Sequence, residues 1–189
     1  MGQDLEPGES RRLPVTAYAL LGLLSFGDPL TGYELKQRAD RTLRFYWVSP
    51  AMSQVYSELE RLHGLGLVRR HGEDRTTSYS LTRRGRTALT RWMTETPVGF
   101  PVLKHPVALR LLLGALVDPA SISSMLRDHL AALEAERTDL EKVRVSLEGV
   151  DRTGQDFRYP ALVADWGLSY FDHEQTIVED LLRRIDEGD

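Results

Sequence analysis

Between residues 52 and 81 the apolar period of this chain changes from helical to strand-like, and that change restricts the fold of the first half to a few choices. Met52, Val55, Leu59 and Leu62 are spaced 3-4-3, which is one helical stripe, and Gly64 and Gly66 end it. Leu67-Val-Arg-Arg-His71 and Thr77-Ser-Tyr-Ser-Leu81 then fit two short strands around the polar, glycine-containing loop 72–76. Upstream, residues 14–25 read as a short buried helix, because Leu20, Leu21, Leu23 and Leu24 leave almost no polar face. Residues 26–30 read as loop, with Pro29 stopping that helix. Thr31 and Glu34 have capping-box spacing and start a second helix through Leu35, Ala39 and Leu43. Ser49-Pro50 predicts the start of the third helix, a hydroxyl cap followed by proline at the first helical position. Thr82 predicts the start of a fourth, running to about Met93.

The second half reads as helical. Pro97, Gly99, Pro101 and Pro106 mark a linker over residues 96–106, and an apolar helix is predicted over 107–116. Asp118-Pro119 starts a long helix to about Gly149, with Ile122, Leu126, His129, Leu133, Leu140, Val143 and Leu147 close to a heptad seam. A last helix over about 159–185 carries Leu162, Trp166, Tyr170, Ile177, Leu181 and Ile185 on one side. The expected fold class is mainly α with a small β-hairpin. Its parts are a flexible N-terminus (1–12), a winged helix-turn-helix (13–95), the linker, and a C-terminal α-helical dimerisation and effector domain (107–189).

Composition excludes several functions. Cysteine is absent, which removes disulfides, thiol nucleophiles and cysteine-ligated metal centres. No apolar run reaches the roughly 18 residues of a membrane span, and Asp4, Glu6 and Glu9 stand where a signal peptide is basic. A cytoplasmic protein is expected. The five histidines (63, 71, 105, 129 and 173) show no metal-ligand spacing. His173-Glu174 begins like a zinc-protease helix motif, but Ile177 stands where the second histidine belongs. His129 reads as a satisfied interior histidine and His173 as a solvated one. There is no phosphate-binding glycine loop and no serine elbow. No enzyme activity, cofactor or metal is expected.

The net charge of −4 conceals an asymmetry. Residues 11–94 hold fourteen Lys and Arg against seven Asp and Glu, whereas residues 95–189 hold ten against eighteen. A basic first half suits a polyanionic partner; chance variation in surface charge is the plainer alternative. In a winged helix the third helix enters the major groove of double-stranded DNA. Gln54 suits a bidentate contact to adenine, and Ser53 and Ser57 can donate or accept. Arg61, Lys36 and the wing residues Arg75 and Thr77 suit phosphate, with Arg69 and Arg70 on the strand beside them.

Leu13-Pro-Val-Thr-Ala-Tyr-Ala-Leu-Leu-Gly-Leu-Leu24, Thr31-Gly-Tyr-Glu-Leu35, Ser49-Pro-Ala-Met-Ser-Gln-Val-Tyr-Ser-Glu-Leu-Glu-Arg-Leu62, Gly66-Leu-Val68 and Tyr79-Ser-Leu-Thr-Arg-Arg-Gly85 follow one another in order. Together they closely resemble the PadR family of bacterial transcriptional regulators. The second half resembles, more loosely, the longer subgroup whose C-terminal helical domain also occurs in virulence-activator relatives. The resemblance implies a winged-helix homodimer on a pseudo-palindromic operator, most often a repressor, in some relatives responsive to small aromatic molecules. By position, Ser53, Gln54 and Tyr56 fall where the family's third helix faces DNA, and Arg75 falls at the wing tip.

Two expectations concern the second half. Leu126, Leu133, Leu140, Ile177 and Leu181 are expected at an interface with a second copy; an intramolecular two-helix hairpin is the alternative. Trp166 and Tyr170 share a helical face, with Phe157 and Tyr159 entering it, and are expected to line a site for a small aromatic effector. Core or interface packing is the plainer reading of these aromatics. A winged-helix module for protein assembly, or a small-molecule-binding protein without a DNA function, are the other readings of the whole chain.

Overall fold

The computed structural model describes residues 13–72, 77–99, 104–148 and 158–188. The chain divides between Val98 and Gly99 into two compact units. The residues expected to form a flexible N-terminus, 1–12, lie outside those described.

The first unit contains α1 (Val15–Leu24), β1 (Leu30–Thr31), α2 (Gly32–Thr42), a 3-10 turn (Leu43–Phe45), α3 (Met52–Gly64), β2 (Val68–His71), β3 (Ser78–Leu81) and α4 (Arg83–Glu95). The sheet order is β1-β3-β2, antiparallel throughout, with Leu30 opposite Tyr79 and Val68 opposite Leu81. Strand β1 occupies the end of the segment expected to be loop. At two residues it is too short to show any alternation. The nearly all-apolar α1 lies at the centre: Ala17, Leu20 and Leu21 are fully buried with Leu35, Ala39, Val55, Leu59 and Leu62. Tyr18 and Trp92 stack, ring centroids 4.7 Å apart, and so tie α1 to α4.

The capping box of α2 is present, with Glu34 N donating to Thr31 Oγ1 and Thr31 N to a Glu34 carboxylate oxygen. Thr82 caps α4 by accepting from Gly85 N, and its hydroxyl reaches back to the carbonyls of Gly66 and Leu67. A side chain at Gly85 would place its Cβ 2.0 Å from the Leu67 carbonyl oxygen, so only glycine lets α4 dock against the start of the hairpin.

One start signal needs correcting. Helix α3 begins after Ala51, not Ser49. Ser49 precedes a proline, which disfavours helical backbone there, and its hydroxyl donates to Asp40 Oδ1 at 2.6 Å instead of capping.

The second unit contains α5 (Pro106–Leu112), a 3-10 turn (Gly114–Leu116), α6 (Pro119–Ser146) and α7 (Arg158–Glu187). The apolar helix expected over 107–116 therefore breaks after Leu112. Asp118 caps α6 as expected, accepting from Ser121 N at 2.9 Å. Helices α6 and α7 form an antiparallel hairpin, because Ser123 bonds Asp186 at one end and Arg144 bonds Asp165 at the other. Arg137 and Asp172 pair between them at 2.6 Å.

This hairpin redirects the expected interface. Leu126, Leu133 and Leu140 are buried within the single chain, together with Ala164, Gly167, Phe171, Val178 and Leu182 of α7. Leu181 is half-buried and Ile177 is exposed. The α6 residues of the seam expected to join two copies thus close the hairpin within one, whereas Ile177 stays exposed. The remaining apolar surface of α7 lies on another stripe, where Leu162, Trp166, Tyr170 and Ile177 are 55%, 62%, 43% and 42% exposed.

Candidate nucleic-acid interface

Helix α3 is anchored from beneath. Val55, Leu59 and Leu62 are fully buried, so the opposite surface must face outward. That surface carries Ser53, Gln54 and Ser57, all exposed, in the arrangement a groove-reading helix requires. Gln54 has a second role that its residue type alone did not reveal. Its Oε1 accepts from Ala51 N at 2.9 Å and so satisfies a free amide at the helix start. Ser57 donates to the Gln54 carbonyl. A bidentate contact from Gln54 to adenine therefore exchanges this cap for a base edge.

Tyr56 is 47% exposed and lies on the flank of α3. Its ring covers Gly32, where a Cβ would stand 2.5 Å from Tyr56 Cε1. The glycine in Thr31-Gly-Tyr thus allows the start of α2 to approach α3, and Tyr56 both packs and faces solvent. Behind it, Tyr79 donates to Glu60 at 2.9 Å. Burial, reinforced by that hydrogen bond, pushes the Tyr79 hydroxyl above its usual pKa.

Two cations expected at phosphate are engaged within the chain. Lys36 pairs with Asp40, which also accepts from Ser49. Hydrogen bonds from Lys36 and Ser49 hold the Asp40 carboxyl below the usual carboxylate range. Arg61 pairs with Glu58 at 2.6 Å. Both pairings follow i,i+4 or i,i+3 spacing, a signal legible in the sequence. These pairs are half-buried, and at this helical spacing each contributes only about 0.2–0.5 kcal/mol, so phosphate competes with them.

The hairpin supplies other cations. Arg69 and Arg70 are exposed on β2, as are Arg83, Arg84 and Arg86 at the start of α4. Among the described residues none of these five has an ion pair. Arg75, expected at the wing tip, lies outside the described residues. Thr77 is half-buried at the base of the wing, and its hydroxyl has no hydrogen-bond partner among the described residues.

Among the described residues, the aromatics expected to line an effector site lie at the surface of the single chain. Trp166, Tyr170 and Tyr159 are all exposed, and Tyr159 lies under the Arg158 guanidinium. Phe157 lies outside the described residues. The histidines also behave differently from their sequence spacing: the fold brings His105 and His129 together at Glu174.

The order of elements, the outward polar face of α3 and the arginine-bearing hairpin are those of a winged helix-turn-helix. Two families match in succession: the transcriptional regulator PadR-like family over residues 20–91 and the virulence activator alpha C-terminal family over residues 103–179. The chain thus carries a PadR-like domain followed by a virulence activator alpha C-terminal domain. PadR-like proteins are transcriptional regulators, not enzymes. The structure is similar to that of the PadR-like regulator BC1756 from Bacillus cereus, at 22% identity and a TM-score of 0.76, covering 92% of this chain and 99% of that one. It is similar to Bacillus subtilis PadR crystallised in complex with operator DNA, at 25% identity and a TM-score of 0.74, covering 91% and 99%. Bacillus subtilis PadR has also been crystallised in complex with p-coumaric acid. The virulence activator AphA of Vibrio cholerae shares the fold at 18% identity and a TM-score of 0.70, covering 92% of this chain and 99% of AphA. No curated protein matches the chain. No described helix of this PadR-like regulator is long and apolar enough to cross a membrane.

Proposed function

We propose that this PadR-like regulator is a cytoplasmic repressor that binds a pseudo-palindromic operator as a homodimer and is released by a small aromatic ligand. The observation that carries the DNA reading is the exposed Ser53-Gln54-Ser57 face on a helix whose other side is fully buried. A relative crystallised with operator DNA supports it. Sequence choice belongs to α3. Arg69, Arg70 and the arginines of α4 supply attraction to phosphate, joined by Arg75 and Thr77 of the wing, and by Lys36 and Arg61 once their ion pairs exchange.

The dimer reading keeps Ile177 from the expected interface and adds Leu162, Trp166 and Tyr170, which share its side of α7. With Leu126, Leu133 and Leu140 closed inside the hairpin, the apolar row Leu162-Trp166-Tyr170-Ile177 is left uncovered, and a second copy covers such a row economically. Two copies also suit a motif whose half-sites lie about 34–36 Å apart. The effector reading is supported by the p-coumaric acid complex of a relative and by the same exposed aromatics, which a partner would enclose. Selection from a random duplex pool tests the whole proposal. It should enrich an inverted repeat with half-sites one helical turn apart. Enrichment of a single half-site, or of nothing, contradicts it.

A further inference from the structure

Three side chains distant in sequence converge in the second unit. His105 precedes α5 and caps it, His129 lies on α6, and Glu174 lies on α7. His105 Nε2 stands 2.8 Å from Glu174 Oε1, and His129 Nε2 stands 3.4 Å from the same oxygen. One ligand atom from each residue lies within 4.8 Å of the other two. The side chains of His105, His129 and Glu174 are only 15%, 25% and 11% exposed. The imidazoles meet edge to face with centroids 5.7 Å apart. We propose that His105, His129 and Glu174 form a binding site for one divalent transition-metal ion of the zinc, cobalt or nickel class.

The donor set selects that class. Imidazole suits these ions, whereas calcium and magnesium take six or more oxygen ligands. Two histidines and one carboxylate are also a set that holds zinc with a fourth position left for water. Donors about 2.1 Å from a tetrahedral ion lie roughly 3.4 Å from one another. The two measured separations to Glu174, 2.8 and 3.4 Å, are already near that value, so small side-chain rotations suffice.

The surroundings leave a way in. An open groove of about 550 Å³ is lined by Val107, Arg110, Met125, Asp128 and His129, and it admits an ion and its remaining water to His129. Ligation through His105 Nε2 puts the remaining ring proton on Nδ1. That gives up the bond Nδ1 now accepts from Ala108 N, an exposed contact of 3.4 Å and therefore a weak one. In return the ion ties the first turn of α5 to both helices of the hairpin. The site goes beyond the DNA-binding reading and does not depend on it.

The test uses the full chain without a tag, stripped with chelator and titrated with cobalt(II) chloride. Visible absorption reports the coordination, and zinc is then added as competitor. One cobalt ion per chain should bind with the intense absorption of a four-coordinate site, and one equivalent of zinc should displace it. His129→Gln and Glu174→Gln should each weaken binding at least tenfold. His105→Asn should do the same while retaining a helix-capping side chain. His173→Gln, an exposed neighbour on α7, should leave binding unchanged. Zinc should raise the thermal midpoint of the parent chain and not those of the three ligand variants, whose helicity is checked by circular dichroism. No stoichiometric binding, or binding that survives His129→Gln and Glu174→Gln, overturns the proposal.

Discussion

Gln54 provides the sharpest perturbation, because its two roles respond differently to two substitutions. Gln54→Ala removes both the acceptor for Ala51 N and the amide that reads a base. Loss of a cap at a helix start costs about 1 kcal/mol, which lowers the thermal midpoint of a chain of this size by about 2–4 °C. Loss of a bidentate base contact costs about 1–3 kcal/mol of discrimination, or roughly 5- to 150-fold in the ratio of operator to random-duplex affinity. Gln54→Glu separates the two effects. A carboxylate still accepts from Ala51 N and favours the positive helix N-terminus, so stability is retained. It cannot donate to adenine N7, so discrimination falls as in the alanine variant. The assay is fluorescence anisotropy on the selected duplex and on a scrambled one, beside thermal unfolding followed by circular dichroism. If Gln54→Glu keeps the full discrimination ratio, Gln54 does not read a base and the reading face assigned to α3 is wrong.

Four further outcomes follow from the same geometry. Arg69→Ala and Arg70→Ala should each weaken operator and random DNA alike and reduce the salt dependence by about one phosphate contact, measured as the slope of log affinity against log salt. Gly85→Ala forces a Cβ against the Leu67 carbonyl and should destabilise the first unit by about 1–3 kcal/mol in urea unfolding. Trp166→Asp should convert dimer to monomer in sedimentation velocity without loss of helicity, because Trp166 is exposed in the single chain. The Glu34 and Asp40 carboxyls are held below their ordinary pKa, Glu34 chiefly by the Thr31 amide and Asp40 chiefly by Lys36. Their contribution to stability is therefore present above the ordinary carboxylate pKa and lost as pH falls through the depressed values. Urea midpoints of the parent should drop across that acid range, and those of Glu34→Gln should drop less.

The first unit was legible because its signals are local. The stripe Met52-Val55-Leu59-Leu62, the Thr31/Glu34 capping box and the Thr82 cap each lie within a few residues of what they build. Pairing was less legible. Ser49 looked like a cap because hydroxyl-proline pairs often are, yet Asp40, nine residues away, claims its hydroxyl. The second unit shows the same limit at longer range. The heptad seam of α6 identified Leu126, Leu133 and Leu140 as buried, but periodicity cannot say whether the covering helix belongs to the same chain. Here it is α7, which carries the small residues Ala164 and Gly167 on its buried side. The cluster of His105, His129 and Glu174 was invisible for that reason: the cap of α5, helix α6 and helix α7 contribute one residue each. Spacing rules find metal ligands only when two come from one element.

The central claim is that this chain reads a DNA sequence through α3. Anisotropy of the full chain on the selected duplex and on a scrambled duplex of equal composition, at low and near-physiological salt, tests it most directly. Tight binding that falls as salt rises is expected, with a preference for the selected duplex that persists at the higher salt. Equal binding to both duplexes, or no binding even at low salt, would contradict it.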